Sequence, residues 1–411
     1  MMPKIIRVAV SQYGSRRRYL IPQLLHNAGM LEYLYTDAYQ NSLWGKICRM
    51  LNKIGITNSS ITRLIKRNPN IPDNKIIAND FWQTKCILSR ALNLSQYIRL
   101  KTIFQGGFFG LDKHKLKQCD WMYTMFIENI HLVKYAKSRG VKILADIYEN
   151  PYIFSELSKE LDVNPEYRTL IDQKKIFEAH TRIREKAITD ILRLADIYLL
   201  PSEYVKDSIA RCPTYDERKA HIIPYVSSVD VKPQSNNPIK GRIIWIGNEP
   251  VRKGLVYALR AFRELKEQFS FVELVVIGPI PARLQKDSFF DGVTFTGYLE
   301  KARLIEEFRK ADMYIFPTLA EGFAGTLLEA AAYGVPIITT HASGFAHNAP
   351  CIFVDSQNSS QIVSAAKELI TNREKRTQIS ENLIKYSTQS NREQFSSNLI
   401  ALLTQEDCHL N

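Results

Sequence analysis

Two carboxylates and two cations are the side chains whose types and spacing best suit work on a polar, phosphorylated ligand. Glu321 and Glu329 bracket the run Glu321-Gly322-Phe323-Ala324-Gly325-Thr326-Leu327-Leu328-Glu329, just after an apolar segment ending at Pro317. Gly322 and Gly325 let the backbone approach a ligand closely, and a helix opening near Thr326 would aim unpaired amides and a positive dipole end at phosphate. One glutamate precedes the turn and the other sits about a helical turn inside, so both can face one cleft. There each can accept hydrogen bonds from neighbouring hydroxyls of a sugar or ribose. A solvated helix with two ordinary glutamates would explain neither the glycines nor their placement.

The cations are Arg252 and Lys253, followed by Gly254 and preceded by a strand-like run ending at Gly247. A cation at the mouth of an α/β unit can neutralise a diphosphate without metal, although a Lys-Gly pair at a helix start is by itself an ordinary solvated turn. A third group, Gly14-Ser15-Arg16-Arg17-Arg18, follows the first strand-like run. It suits a phosphate-bearing acceptor, and a solvated basic turn fits it equally well.

The elements that must position these groups follow from periodicity. Residues 5–11, 121–126, 141–148 and 197–201 read as strands separated by helical patterns, and 242–246, 274–277, 313–317 and 336–339 repeat the arrangement. The fold class is therefore α/β, with two Rossmann-like units of parallel sheet covered by helices. The similarity of residues 194–202 to 310–318 supports a repeat, although any two α/β units could share it. A polar, turn-forming stretch at 229–238 marks the linker. The domains are expected at 1–232 and 239–382, with a helical tail at 383–411 packing back on the first.

Composition narrows the classes. A chain of 411 residues with 45% apolar content builds two domains of ordinary size. Its longest apolar stretches fall below the roughly 20 residues of a membrane-spanning helix. The start lacks the pattern of a secretory signal, so a cytoplasmic location is expected. Six cysteines without paired spacing suggest neither disulfides nor a zinc site. Residues 1–120 hold 19 Lys+Arg against 6 Asp+Glu, which accounts for the whole net charge of +13. Such a field attracts nucleic acid, anionic lipid or a phosphorylated substrate without choosing among them. Residues 43–54 form a basic amphipathic stretch that suits a peripheral membrane contact on the inner face, and also ordinary core packing.

The 321–329 run, with the trailing Gly334-Val335-Pro336, resembles the Glu-x7-Glu motif of retaining family 4 glycosyltransferases, and further landmarks extend the resemblance over residues 190–354. It implies a GT-B architecture, with two Rossmann-like domains facing each other across a cleft, and a nucleotide diphosphate sugar held by the second domain. On this resemblance Glu321 and the amides of Gly322, Phe323, Ala324, Gly325, Thr326 and Leu327 hold the sugar, and Glu329 holds the ribose. Lys253, with Arg252, takes the diphosphate, and Gly247, Asn248, Gly278, Gly297 and Tyr298 lie along the donor. Catalysis is assigned to Lys253, Glu321 and Arg252, with no metal, no cofactor, retained anomeric configuration and no protein nucleophile. The implied role is transfer of the sugar to a glycan, lipid-linked or other acceptor in cell-surface polysaccharide or glycoconjugate synthesis. The acceptor side is assigned to Gly14, Ser15, Arg16, Arg17, Tyr148 and Glu149.

Two departures from the family pattern matter. Asn248 stands where a basic residue is common, and the segment ending Tyr148-Glu149-Asn150 lacks the usual histidine. They leave open a catalytically weakened sugar-nucleotide-binding subunit. His131 reads as a partly buried structural residue. A nucleic-acid-binding protein would need a recognisable motif, and a dinucleotide oxidoreductase would need Gly-x-Gly-x-x-Gly after the first strand; neither is present.

Overall fold

Runs such as Val8-Ala9-Val10 and Leu274-Val275-Val276-Ile277 are apolar at every position, a pattern buried only in a strand covered on both faces. The computed structural model describes residues 6–91, 113–226, 237–389 and 391–408. It forms two parallel sheets from such strands. The first contains β1 (Val8–Ser11), β2 (Leu31–Thr36), β3 (Ile76–Ala78), β4 (Trp121–Met125), β5 (Lys142–Asp146), β6 (Ile197–Leu200) and β7 (Ala220–Ile222) in the order β3-β2-β1-β4-β5-β6-β7. The second contains β8 (Arg242–Ile246), β9 (Glu273–Ile277), β10 (Val293–Gly297), β11 (Met313–Phe316), β12 (Ile337–Thr340) and β13 (Ile352–Val354) in the order β10-β9-β8-β11-β12-β13. The strand order reverses between β1 and β4 and again between β8 and β11. At such reversals the following loops part and leave a crevice at the carboxyl ends of the strands.

The echo between residues 194–202 and 310–318 is not a fold repeat. It pairs β6 with β11, which stand at different positions in their sheets. Its cause is local. The Asp196 amide bonds the Ile143 carbonyl while its carboxylate accepts the Ile143 amide. Asp312 likewise bonds the Arg242 carbonyl and accepts the Gly241 amide. Each aspartate staples the start of one strand to its neighbour.

The chain passes between the two sheets more than once. Helix Ile153–Val163 and the turn Pro165–Gln173 follow β5, yet Ile153, Leu157, Leu161, Tyr167 and Leu170 are buried with Trp245, Leu255 and Leu259 of the second sheet's layer. The Tyr167 hydroxyl donates to the Pro250 carbonyl at 2.8 Å and accepts the Val256 amide at 3.0 Å. Arg260 forks onto Glu166 at 2.7 Å. Helix Arg373–Gln389 buries Leu383 with the second sheet, and helix Arg392–Cys408 returns to set Phe395, Leu399 and Leu403 beside Val10, Tyr123 and Leu199 of the first. The stretch expected as a linker lies outside the described residues as far as residue 236.

Because the Tyr167 hydroxyl shares the Pro250 carbonyl with the Leu255 amide but is the acceptor for the buried Val256 amide, Tyr167→Phe strands that amide. Equilibrium denaturation should show a loss of about 1–3 kcal/mol; an unchanged unfolding midpoint would mean the bridge contributes nothing.

Candidate functional site

Three glycines carve the floor of the second sheet's crevice. A Cβ on Gly247, after β8, would meet the Lys253 Cδ at 2.4 Å, so the missing side chain lets Lys253 lie across the strand end. Gly278, after β9, has φ +133, and a Cβ there would strike the Gly247 carbonyl oxygen at 1.9 Å. Its amide bonds the Gly297 carbonyl at 2.9 Å. Tyr298 stands 79% exposed beside this floor, and Asn248 is exposed.

The next turn brings the cations to Glu321. Gly254, with φ +64, sits so close to β11's end that a Cβ would lie 2.0 Å from the Pro317 carbonyl oxygen. The Arg252 carbonyl accepts the Leu319 amide and the Thr318 hydroxyl, and the Trp245 indole N–H donates to the Lys253 carbonyl. Clamped this way, Lys253 Nζ and Arg252 Nη1 lie 2.6 and 2.7 Å from one oxygen of Glu321. Arg252 also donates to the Ala320 carbonyl and pairs with Glu249. Burial would push the Glu321 carboxyl up, but Lys253 and then Arg252 hold it below the usual range. Burial, aided by Arg252 and opposed by Glu321, pulls the Lys253 ammonium down.

Beyond Glu321 the turn is pinned from both sides. Ser202 donates to the Gly322 carbonyl at 2.8 Å, and a Cβ on Gly322 would lie 1.6 Å from the Tyr148 carbonyl oxygen, across the crevice. Helix Gly325–Ala332 opens with no side-chain cap, and a Cβ on Gly325 would meet nothing within 4 Å. The Gly325 and Thr326 amides are therefore left to open space, whereas the Ala324 amide donates to the Ser343 carbonyl and the Leu327 amide to the Ala324 carbonyl, which corrects the reading of those two amides as free for the sugar. Phe323 packs toward Tyr225 and Phe345, Ala324 and Leu327 are buried, and the Thr326 hydroxyl bonds that of Tyr314. Glu329, one turn in, makes no hydrogen bond or ion pair among the described residues. Burial holds its carboxyl above the ordinary range, against the pull of Lys301 and Arg18.

On the facing wall, the loop after β1 is contorted. Gly14 has φ +70, and Arg17, Arg18 and Tyr19 follow at φ 48, 52 and 61, a left-handed turn that costs any residue with a Cβ. Two cations hold it in place. Arg17 pairs with buried Asp146 at 2.9 Å and lies 3.3 Å over the Tyr225 ring. Arg16 pairs with buried Glu128 at 3.2 Å and covers the Tyr148 ring at 4.5 Å. This corrects the reading of Arg17 as a cation open to an acceptor phosphate, because Asp146 engages it; Arg16, though paired with Glu128, keeps its side chain 41% exposed. Ser15 and Arg18 are exposed. Glu149 pairs with Arg184; burial raises its carboxyl, and Arg184 followed by Arg252 and Arg16 bring it below the ordinary range.

The structure thus gathers Lys253, Arg252, Glu321 and the 322–327 turn at one point, with Tyr148 and Glu149 opposite. Glu128, Asp146, Arg184, Ser202 and Tyr225 went unrecognised in the sequence. Glu128 gave one signal: like Glu321, it closely follows a strand ending at the crevice. His131 is exposed on helix Ile130–Ser138 rather than partly buried. Among the described residues no cluster of three His, Cys, Asp or Glu side chains is placed to hold a metal ion.

The chain is similar in sequence and in fold to known proteins. Residues 240–372, the second sheet's layer, match the family of glycosyl transferases group 1. The chain is 26% identical over 143 residues to a 2-deoxystreptamine N-acetyl-D-glucosaminyltransferase of Niallia circulans, an alignment covering 32% of this chain and 37% of that one. The chain spans about a third of the length of the curated relatives it matches. Among solved structures it resembles sucrose-phosphate synthase of Thermosynechococcus elongatus, with TM-score 0.62, 14% identity and coverage of 98% and 100% of the two chains. It also resembles Anabaena HepE in complex with UDP-glucose, with TM-score 0.57, 11% identity and coverage of 97% and 100%. The fold is GT-B.

Two tests follow from the geometry. Gly322→Ala must displace the Tyr148 carbonyl, so it should destabilise by about 1–3 kcal/mol and raise the radius of gyration in X-ray scattering. Gly325→Ala should not change the radius; equal behaviour of the two would discount the contact. Burial pushes the Glu128 carboxyl up to about 7, against Arg16 and the Tyr13 amide. The folded chain then keeps a proton that the unfolded chain has released, so this group's contribution to stability falls as pH rises from the ordinary carboxylate range to about 7. Wild type should lose stability relative to Glu128→Gln across that window; parallel stability curves would show an ordinary carboxylate.

Proposed function

We propose that the chain is a glycosyltransferase that moves a sugar from a nucleotide diphosphate sugar to a glycan, lipid-linked or other acceptor, in the synthesis of cell-surface polysaccharide or glycoconjugate. The observation that carries this reading is the meeting of Lys253 and Arg252 with Glu321 beneath an uncapped helix N-terminus. Neighbours support it: the Anabaena structure holds UDP-glucose, and the Niallia relative is a glucosaminyltransferase by name.

In this reading the diphosphate lies over Gly247 and Gly278, where no side chain intervenes, and takes charge-assisted hydrogen bonds from Lys253 and Arg252. Glu321 gives up its share of those cations and accepts sugar hydroxyls, while Glu329 accepts from the ribose and Tyr298 stacks on the base. As the bond from the anomeric carbon to the phosphate oxygen breaks, negative charge collects on the diphosphate, and the two cations with the Gly325 and Thr326 amides stabilise it. The acceptor oxygen bonds the anomeric carbon from the face the diphosphate leaves and passes its proton to the departing phosphate oxygen, so configuration is retained with no protein nucleophile and no bound metal in the step. Gly14, Ser15, Arg16, Tyr148 and Glu149 line the acceptor side, with Arg17 tying that loop to Asp146. The cytoplasm is the compartment this reading implies, and Cys48, Cys86, Cys119, Cys212 and Cys351 form no disulfide among the described residues.

The test is thermal stabilisation of the purified protein by a panel of UDP-, GDP- and ADP-sugars, with and without chelator, followed by transfer and donor hydrolysis assays. One nucleotide class should stabilise it, insensitive to chelator and lost in Glu329→Ala. Lys253→Ala should lower kcat/KM by about 10²–10³-fold, the scale of removing one donor to developing charge. No response across the panel would sink the donor site; binding without transfer or hydrolysis would favour a weakened binding subunit.

A further inference from the structure

We infer that helices Leu43–Lys53 and Asp80–Ala91 form one surface that docks the chain on an anionic lipid bilayer. The first helix divides its apolar residues between two directions. Trp44, Cys48 and Leu51 turn inward onto Ala38, Ile61 and Leu64. Leu43, Met50 and Ile54 are 60%, 61% and 65% exposed, and their spacing puts them along one stripe. Core packing therefore explains only part of this helix's apolar content. The second helix repeats the division. Trp82 and Cys86 are buried with Tyr13, while Phe81 and Leu88 are exposed with Lys85 between them, its ammonium 5.0 Å over the Phe81 ring.

The two helices adjoin. The Leu43 and Trp44 amides both donate to the Asp80 carboxylate, and the Trp44 indole N–H donates to Thr84 at 3.0 Å. With Ile56 in the loop between, six of the eleven large apolar side chains exposed among the described residues fall between positions 43 and 88. A soluble surface scatters such residues; concentrating them marks an interaction face.

Charge decides what the face meets. Residues 43–91 contain nine Lys and Arg against Asp73 and Asp80, and of the nine Arg67 is paired with Asp37. Asp80 is taken up by helix amides and Asp73 by Tyr39 and Asn41. Lys46 and Lys53 are exposed beside the first stripe. Apolar stripes edged by cations suit the boundary of an anionic membrane, where apolar side chains enter the acyl region and Lys and Arg meet the anionic headgroups. Nucleic acid would use the cations and leave Leu43, Met50, Ile54 and Phe81 in water. No helix among the described residues is long and apolar enough to cross a membrane, so the contact is peripheral. Its position is specific: Trp82 stacks on Tyr13 at 4.4 Å, in the loop that carries Arg16, so the docking helix backs directly onto the crevice wall.

Co-sedimentation of the full chain with phosphatidylcholine vesicles, with and without phosphatidylglycerol, tests this. The wild type should bind only the anionic vesicles, and Met50→Glu with Ile54→Glu, both on exposed positions, should weaken binding about tenfold or more. Lys46→Gln with Lys53→Gln should shift binding to lower salt. The double glutamate variant should keep the wild-type unfolding temperature and any nucleotide-sugar response, which separates this inference from the donor site. Absence of binding to anionic vesicles would overturn it. So would unchanged binding of the glutamate variant, which would indicate a general polyanion site, or a wild-type dimer in sedimentation abolished by that variant, which would indicate a self-interface.

Discussion

Two buried cations share one carboxylate oxygen at Glu321, and much of the second sheet's crevice exists to bring them there. Burying Arg252 and Lys253 would be costly without partners. Glu321 and Glu249 supply them, so the cluster is balanced as it stands. The geometry that achieves this leaves little slack: Gly254 against Pro317, Gly247 beneath Lys253, and the Arg252 carbonyl accepting from Thr318 and Leu319. An anion entering the crevice would compete with Glu321 rather than fill a void. The cluster therefore favours a ligand that brings both negative charge for the cations and hydroxyls for the displaced carboxylate.

The facing wall obeys the same rule with different residues. Arg16 and Arg17 are balanced by Glu128 and Asp146 and roofed by Tyr148 and Tyr225, and their pairing keeps three consecutive residues in a left-handed turn. The walls touch at backbone level, Gly322 against the Tyr148 carbonyl. Glu149 feels Arg252 across the gap. Electrostatics on one side is thus set partly by the other.

How much of this could be read from the chain depends on range. The central strands were legible because burial on both faces leaves unbroken apolar runs, whereas β3, β7 and β13 are edges of three residues each, too short for a run to stand out. The 321–329 turn was legible because its glycines, carboxylates and helix start are contiguous. Lys253 gained meaning only beside that turn. The fate of Arg16 and Arg17 was not legible, since Asp146 lies 129 positions from Arg17 and nothing local signals the pairing. The echo of residues 194–202 in 310–318 misled for the opposite reason: a short-range staple repeated wherever a strand starts beside another.

The exchange of segments between the two sheets bears on how the protein is made. Residues 153–173 emerge early in synthesis with an apolar face whose partners, Trp245 and Leu255 among them, have yet to be translated. The core beside Val10 and Tyr123 stays open until Phe395 and Leu399 arrive with the last helix. Neither half can reach its final packing on the ribosome while the rest is unmade. Each nascent half must wait with bare hydrophobic surface, so a cut anywhere between residues 173 and 392 would yield two fragments that are each incomplete, however cleanly the sheets divide on paper.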